Sequence, residues 1–377
     1  MIKRLMMIAG EASGDLHGSG VVRALRARRP DLEIYGLGGD RMREEGMELI
    51  HHSSEMAFMG FLEVARNLPT VRRVERSLRS ALNDRSPDAV LLIDYPGFNL
   101  RFAERVHRAG IPVLYYISPQ VWAWHHRRVR RLKRLVDRMM VVFPFEVEFY
   151  RQFGMEVEFV GHPLAERIGS TATRAAFCAR YGLDPERKLV GLFPGSRLQE
   201  IHRILPAMLE GALDLQKRTG VQIAVSVAPN LPPRLIHTMV PLSAAVVPVE
   251  GSPYDLMKVA DAGVVTSGTA TLEAGWFGLP MVIVYKTSAI TYWIGRALVR
   301  VSSIGLANIV AGSAVVPELL QGQVTGRRVS RVLERLTFDQ EYASAMRAKL
   351  GVLKEKLGPP GASSRVADRI LAVGAAA

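Results

Sequence analysis

The chain is poor in the features that would assign it at a glance. Among 377 residues there is one cysteine, Cys178, so no disulfide can close within the chain and no thiolate metal site can be built. Such usage fits a reducing compartment. No stretch reaches the ~18 uninterrupted apolar residues of a membrane span. The longest weakly charged region, 262–285, carries Glu273 and several Thr, Ser and Gly. Lys3 and Arg4 precede an apolar run, but the run is too short for a signal peptide and Glu11 follows at once, so a first β-strand is expected instead. No G-x-x-x-x-G-K-[ST] sequence occurs, which excludes a P-loop. No G-x-S-x-G elbow supports a serine nucleophile. His51-His52 and His125-His126 are adjacent pairs rather than i,i+4 pairs, a poor spacing for a metal. Neither a metal nor a cofactor is expected, and there is no low-complexity segment or short internal repeat.

Positive charge is abundant: 49 Lys and Arg against 36 Asp and Glu give a net charge of +13. That balance favours anionic partners such as phosphorylated substrates, anionic lipid or nucleic acid. The hydrophobic fraction, 48%, is enough for full cores, and the length suits one large or two medium domains.

Short apolar runs alternate with amphipathic segments from end to end. "RLMMIAG", "EIYGLGG", "AVLLIDY", "PVLYYIS", "RMMVVFP" and "VEFVGHP" read as strands in the first half, "KLVGLFPGS", "VQIAVSVAP", "AAVVPVEG", "AGVVTSG" and "PMVIVYK" in the second. The runs are continuously apolar, as parallel strands covered on both faces must be. The expected fold class is therefore α/β: two Rossmann-like, doubly wound domains facing a cleft, with ligands at the carboxyl ends of the strands. Expected limits are 1–165, 166–354, and a C-terminal helix at 355–377 that follows the break "GPPGASS" and packs back on the first domain.

"IAGEASGDLHG", residues 8–18, crowds Glu11, Ser13, Asp15 and His17 onto a strand-to-helix turn. Helix capping explains one of them; a substrate-contact loop explains Glu11, Ser13 and Asp15 together. "LLIDYPGFN" ends an apolar strand in Asp94, a carboxylate placed where a general base would be held. Gly195, Ser196 and Arg197 follow another strand and precede a helix, a turn that can receive a phosphate. Ser267, Gly268, Thr269, Ala270 and Thr271 form a second such turn, with Glu273 one turn inside the following helix, placed to accept from a ribose diol.

Two further segments point to a surface. In "SPQVWAWHHRRVRRLKRL", Trp122 and Trp124 precede a run in which six of the eight residues 127–134 are Lys or Arg. The aromatics are not interleaved through the run and no nucleic-acid motif accompanies it, so nucleic acid is not expected. Anionic head groups against Arg127, Arg128, Arg130 and Arg131, with indoles at the interface, fit as well as the plain alternative, a solvated helix face with Val129, Leu132 and Leu135 packed inward. The apolar "SEMAFMGFLEV" offers Met56, Phe58, Met59 and Phe61, either as core or as a patch touching acyl chains.

Taken in order, "AGEASGD", "MGFLEV", "IDYPGFN", "YYISPQVWAW", "FVGHP", "LFPGSR", "SGTATLE" and "LANIVAG" resemble the lipid-A-disaccharide synthase family, inverting glycosyltransferases of the GT-B fold. The resemblance implies transfer from UDP-2,3-diacylglucosamine to 2,3-diacylglucosamine 1-phosphate, giving a β(1→6) disaccharide and UDP, by a cytoplasmic enzyme peripheral to the inner membrane of a Gram-negative-type bacterium. It implies Asp94 as the base and a uridine-diphosphate region at Gly195–Arg197, Ser267–Thr271, Glu273 and Asn308. It also implies a possible homodimer through exchange of C-terminal segments. The family often has a second Asp where this chain has Gly97. A UDP-N-acetylglucosamine 2-epimerase would share the donor-side motifs but need neither apolar patch nor tryptophan-basic segment. A non-enzymatic basic binding protein would give no reason for Asp94, Arg197 and Glu273.

Overall fold

The computed structural model describes residues 2–56, 67–123, 126, 128–228, 231, 238–240, 245–251, 253–287 and 303–375. Phe58, Met59, Phe61, Trp124 and Arg127 lie outside them. The chain divides into two compact units, Met1–Glu166 together with Leu357–Ala377, and Arg167–Lys356.

In the first unit the chain runs β1 (Arg4–Ala9), α1 (Ala12–Arg28), β2 (Glu33–Gly38), α2 (Asp40–Glu44), β3 (Glu48–His52), a 3-10 turn (Ser53–Met56), α3 (Leu68–Arg85), β4 (Ala89–Ile93), α4 (Pro96–Arg108), β5 (Val113–Tyr116), α5 (Arg128–Leu135), β6 (Arg138–Val141), α6 (Pro144–Arg151) and β7 (Glu158–Phe159). The strands pair in parallel in the order β3-β2-β1-β4-β5-β6-β7. Leu5–Ala9 and Ala89–Ile93 are buried throughout, which only strands covered on both faces can be. The covering helices carry apolar stripes at helical spacing: Val71, Val74, Leu78 and Leu82 on α3, and Val129, Leu132 and Leu135 on α5.

The second unit runs α7 (Arg174–Tyr181), β8 (Leu189–Phe193), α8 (Leu198–Thr219), β9 (Gln222–Val227), β10 (Val246–Glu250), α9 (Pro253–Val259), β11 (Ala262–Thr266), α10 (Thr269–Trp276), β12 (Met281–Tyr285), α11 (Leu306–Ala311), β13 (Glu318–Leu320), α12 (Gly326–Phe338) and α13 (Gln340–Leu357). Its sheet, again parallel, has the order β10-β9-β8-β11-β12-β13. Both sheets thus repeat one doubly wound topology, with the strand order reversing between β1 and β4 in the first and between β8 and β11 in the second.

After α13 the chain re-enters the first unit as α14 (Ala362–Leu371), whose Val366, Ala367 and Ile370 are buried. Arg28 of α1 pairs with Asp368 at 2.9 Å. The Glu166 carboxylate, where the chain leaves this unit, accepts the Ser363 hydroxyl at 2.7 Å.

Candidate active site

In doubly wound sheets the loops leaving the two strands at the reversal point splay to opposite sides and open a crevice at the carboxyl ends. In the first unit that crevice is bounded by the loop after β1 and the loop after β4. Glu11 is the N-cap residue of α1, in extended backbone, and Glu11 and Ser13 are exposed. Asp15 is buried and otherwise engaged. Its carboxylate accepts the backbone N–H groups of Gly39 (2.8 Å), Met42 (3.0 Å) and Arg41 (3.3 Å). It thereby caps α2, whose own N-cap, Gly39, has no side chain with which to do so. The place the sequence suggests for Asp15, against a substrate, is replaced by a capping role.

Asp94 leaves β4 in left-handed backbone (φ +47°), and so does Tyr95 (φ +47°). Two consecutive non-glycine residues in that region are strained, and such strain collects at functional sites. Burial, then the charge of Glu11, push the Asp94 carboxyl up to about 6 from its ordinary 3.8. It is therefore ionised at neutral pH yet basic enough to take a proton. At Gly97 a side chain would meet open space.

Sequence reasoning missed the groups at the ends of the neighbouring strands. Glu146 on α6 is fully buried, takes the Ser118 hydroxyl and the N–H groups of Phe143 (3.0 Å) and Val142 (3.2 Å), and is pushed up to about 7 by burial. His162, after β7, is buried with its ring 6.5 Å from that of His17, and burial holds it down to about 3, so it is neutral. Glu146 caps the start of its own helix through Phe143 and Val142 and reaches across to Ser118; His162 stands in "FVGHP", and its buried place against His17 comes from another element.

The surface assignments are corrected in part. Met56 is 0% exposed within the apolar core, and Trp122 is 7% exposed, its ring edge-on to Phe145 at 5.1 Å. Packing against neighbours, which a local apolar pattern does not encode, keeps both from an interface. Arg131 binds Glu104 at 3.1 Å. Arg130, Lys133 and Arg134 are exposed on α5 and Arg128 is partly so.

In the second unit, the loops after β8 and β11 bound the equivalent crevice. Gly195 turns the chain with φ +95°, Ser196 is exposed, and Arg197 is the exposed N-cap residue of α8, 3.1 Å from Glu200. Gly268 (φ +139°) is the N-cap residue of α10, flanked by Ser267 and by Thr269 and Ala270 at the helix start. The N-terminal N–H groups of both helices thus begin at adjacent strand ends, an anion-binding arrangement. Thr271 is buried and serves the fold: its hydroxyl donates to the Gly268 carbonyl (2.8 Å) and accepts from Ala307 (3.2 Å). Glu273 accepts the Tyr254 hydroxyl at 3.0 Å, and burial raises its pKa above the usual carboxylate value. Asn308, 2% exposed, is fully committed. Its amide nitrogen donates to the Val316 carbonyl and Glu318, and its oxygen accepts from Val315 and Val316, all within 2.9 Å. It pins the loop before β13, and a diphosphate contact would require breaking that set.

Among the described residues, no group of three or more His, Cys, Asp and Glu is placed to hold a metal, and no helix is long and apolar enough to cross a membrane.

Solved structures of the same architecture include a UDP-N-acetylglucosamine 2-epimerase from Neisseria meningitidis bound to UDP-GlcNAc (TM-score 0.65, 12% identity, 98% of this chain and 100% of that one). CalG4, the calicheamicin glycosyltransferase, is another (TM-score 0.62, 17% identity, 100% of both chains). Two Rossmann-like units of this kind place the protein in the GT-B class. The sequence profile of lipid-A-disaccharide synthetase matches residues 5–357. The lipid-A-disaccharide synthase of Geobacter sulfurreducens is 48% identical over 370 residues (98% of this chain, 96% of the relative), and that of Myxococcus xanthus 42% identical over 370 residues (98% and 97%). The chain belongs to the lipid-A-disaccharide synthase family.

Proposed function

We propose that this enzyme transfers the 2,3-diacylglucosaminyl group of its UDP ester to the 6-hydroxyl of 2,3-diacylglucosamine 1-phosphate, with inversion, forming the β(1→6) disaccharide and UDP. Membership of the family over nearly the whole chain is the observation that carries this reading. The residues supply a chemistry for it. Asp94 takes the proton of the attacking hydroxyl as the new C–O bond forms and the bond from the anomeric carbon to UDP breaks. The helix starts at Arg197 and Thr269, with the Arg197 guanidinium, meet the charge that grows on the departing diphosphate. Glu273 accepts from the ribose hydroxyls.

Both substrates carry acyl chains, which supports work at the cytoplasmic face of the inner membrane. The exposed cations of α5 suit its anionic head groups. The reading is tested by incubating the protein with the two lipid-linked sugars and separating the products. Disaccharide 1-phosphate and UDP should appear in equal amounts; UDP without disaccharide, or 2-epimerised sugar, would overturn it.

A further inference from the structure

The Asp94 carbonyl oxygen draws two side-chain donors from separate elements: the Tyr115 hydroxyl on β5 at 2.6 Å and the Asn99 amide on α4 at 2.7 Å. The same Asn99 nitrogen reaches the Ile93 carbonyl at 3.2 Å, and the Asp94 N–H donates to the Tyr116 carbonyl at 3.0 Å. Asn99 and Tyr115 are both buried. One residue on, the Tyr95 ring lies so close over Gly10 that a Cβ there would sit 2.3 Å from it, and the Tyr95 hydroxyl donates to the Met56 carbonyl at 3.0 Å. Left-handed backbone at two successive side-chain-bearing residues persists only where surrounding contacts over-determine it, and these contacts converge on Asp94 and Tyr95.

We infer that Tyr115 and Asn99 are positioning residues for the transfer reaction: they clamp the Asp94 carbonyl so that the strained turn holds the carboxylate in its buried pose, while Tyr95 locks that turn to the loop after β1. This rests on Asp94 being the base. Ordinary right-handed backbone at residue 94 would swing the carboxylate out of that pose and toward water. The titratable groups facing Asp94 are Glu11, from the loop after β1, and Tyr115, from β5; Arg101, on α4, faces Tyr95. Tyr115 is held well above the ordinary phenol range by burial, so it stays a donor across the working range.

Tyr115→Phe keeps the ring in the core and leaves Asn99 on the carbonyl, so the fold has what it needs. Its kcat should fall roughly 10–100-fold, as a misplaced reacting group costs, with the KM for the UDP-sugar unchanged. The acid limb of its kcat/KM profile should move down from about 6 toward the ordinary aspartate range, because the freed carboxylate is better solvated. A role in folding alone would lower the melting temperature without moving that limb. Added to Asp94→Asn, Tyr115→Phe should cost no further activity. If Asp94→Asn is inactive but the limb of Tyr115→Phe stays in place, the clamp is refuted and the base assignment stands. If Asp94→Asn turns over normally, both fall. Asn99→Ala gives the second reading of the same carbonyl and should shift the limb in the same direction; a shift upward or none, in a folded variant, overturns the proposal.

Discussion

Asp94 joins a raised affinity for protons to a place at the end of β4, and both have consequences that can be measured. Its carboxyl titrates at about 6 against an ordinary 3.8, so the competent, ionised form fills in as pH rises through 6. The acid limb of kcat/KM should fall there. Loss of a general base costs about 10²–10⁴-fold; Asp94→Asn should lose that much turnover while UDP affinity, measured by calorimetry, stays near normal. Stability has the opposite sign. The folded chain holds this proton more tightly than the unfolded chain, so the contribution of Asp94 is present below pH 3.8 and is lost as pH rises through about 6. Asp94→Asn should therefore melt higher than the parent at pH 7.5, and the gain should vanish at pH 4. On the donor side, Arg197→Ala and Glu273→Ala should each weaken UDP binding about 10-fold or more, the cost of removing a charged hydrogen-bonding partner. Unchanged UDP affinity in both would remove these residues from the nucleotide.

At the scale of elements, Asp15 shows how a motif divides its labour. The stretch Gly10–Asp15 looks like one contact loop, yet Glu11 and Ser13 are exposed while Asp15 turns away to cap α2. Asp15→Ala strands buried N–H groups and should cost ~1–3 kcal/mol in urea unfolding of the first unit, with UDP affinity intact. Weakened substrate binding at full stability would return it to the ligand. Most strands were legible, because apolar runs covered on both faces leave no alternation to misread, but the half-buried β3 and the three-residue β13 were not; the turns after β8 and β11 were legible because glycine and small polar residues mark a helix start. Tyr115, Asn99, Glu146 and Tyr254 were not. Tyr115, Asn99 and Tyr254 work through partners outside their own elements, and nothing in their neighbourhood announces the pairing; Glu146 was passed over although it caps its own helix. Met56 and Trp122 were misplaced for a related reason: an apolar residue looks the same in a core and on a docking patch until its neighbours are known.

For the whole molecule, a charge of +13 is a long-range property, spread beyond any single site. Each basic residue near an anionic bilayer is worth about 1 kcal/mol and is screened by salt. Binding to vesicles containing anionic lipid should thus weaken as salt rises, and Arg130→Glu with Lys133→Glu and Arg134→Glu should remove most of that salt-sensitive part with only a small loss of melting temperature, the cost of the exposed Arg134–Glu104 pair at 3.7 Å. Salt-independent flotation of the triple variant and parent alike would exclude α5 from the surface. The return of the chain at Leu357 carries a different consequence, one of timing. The second unit is a continuous stretch and has all its residues as soon as Lys356 is made. The first unit begins earlier and finishes later: the face of α1 that α14 covers has no cover until Ala362–Leu371 has been synthesised. During translation the half that carries Asp94 waits, incomplete, through the whole making of the half that carries Arg197 and Glu273. A nascent chain stopped just after Lys356 should accordingly hold a finished second unit and an unfinished first one.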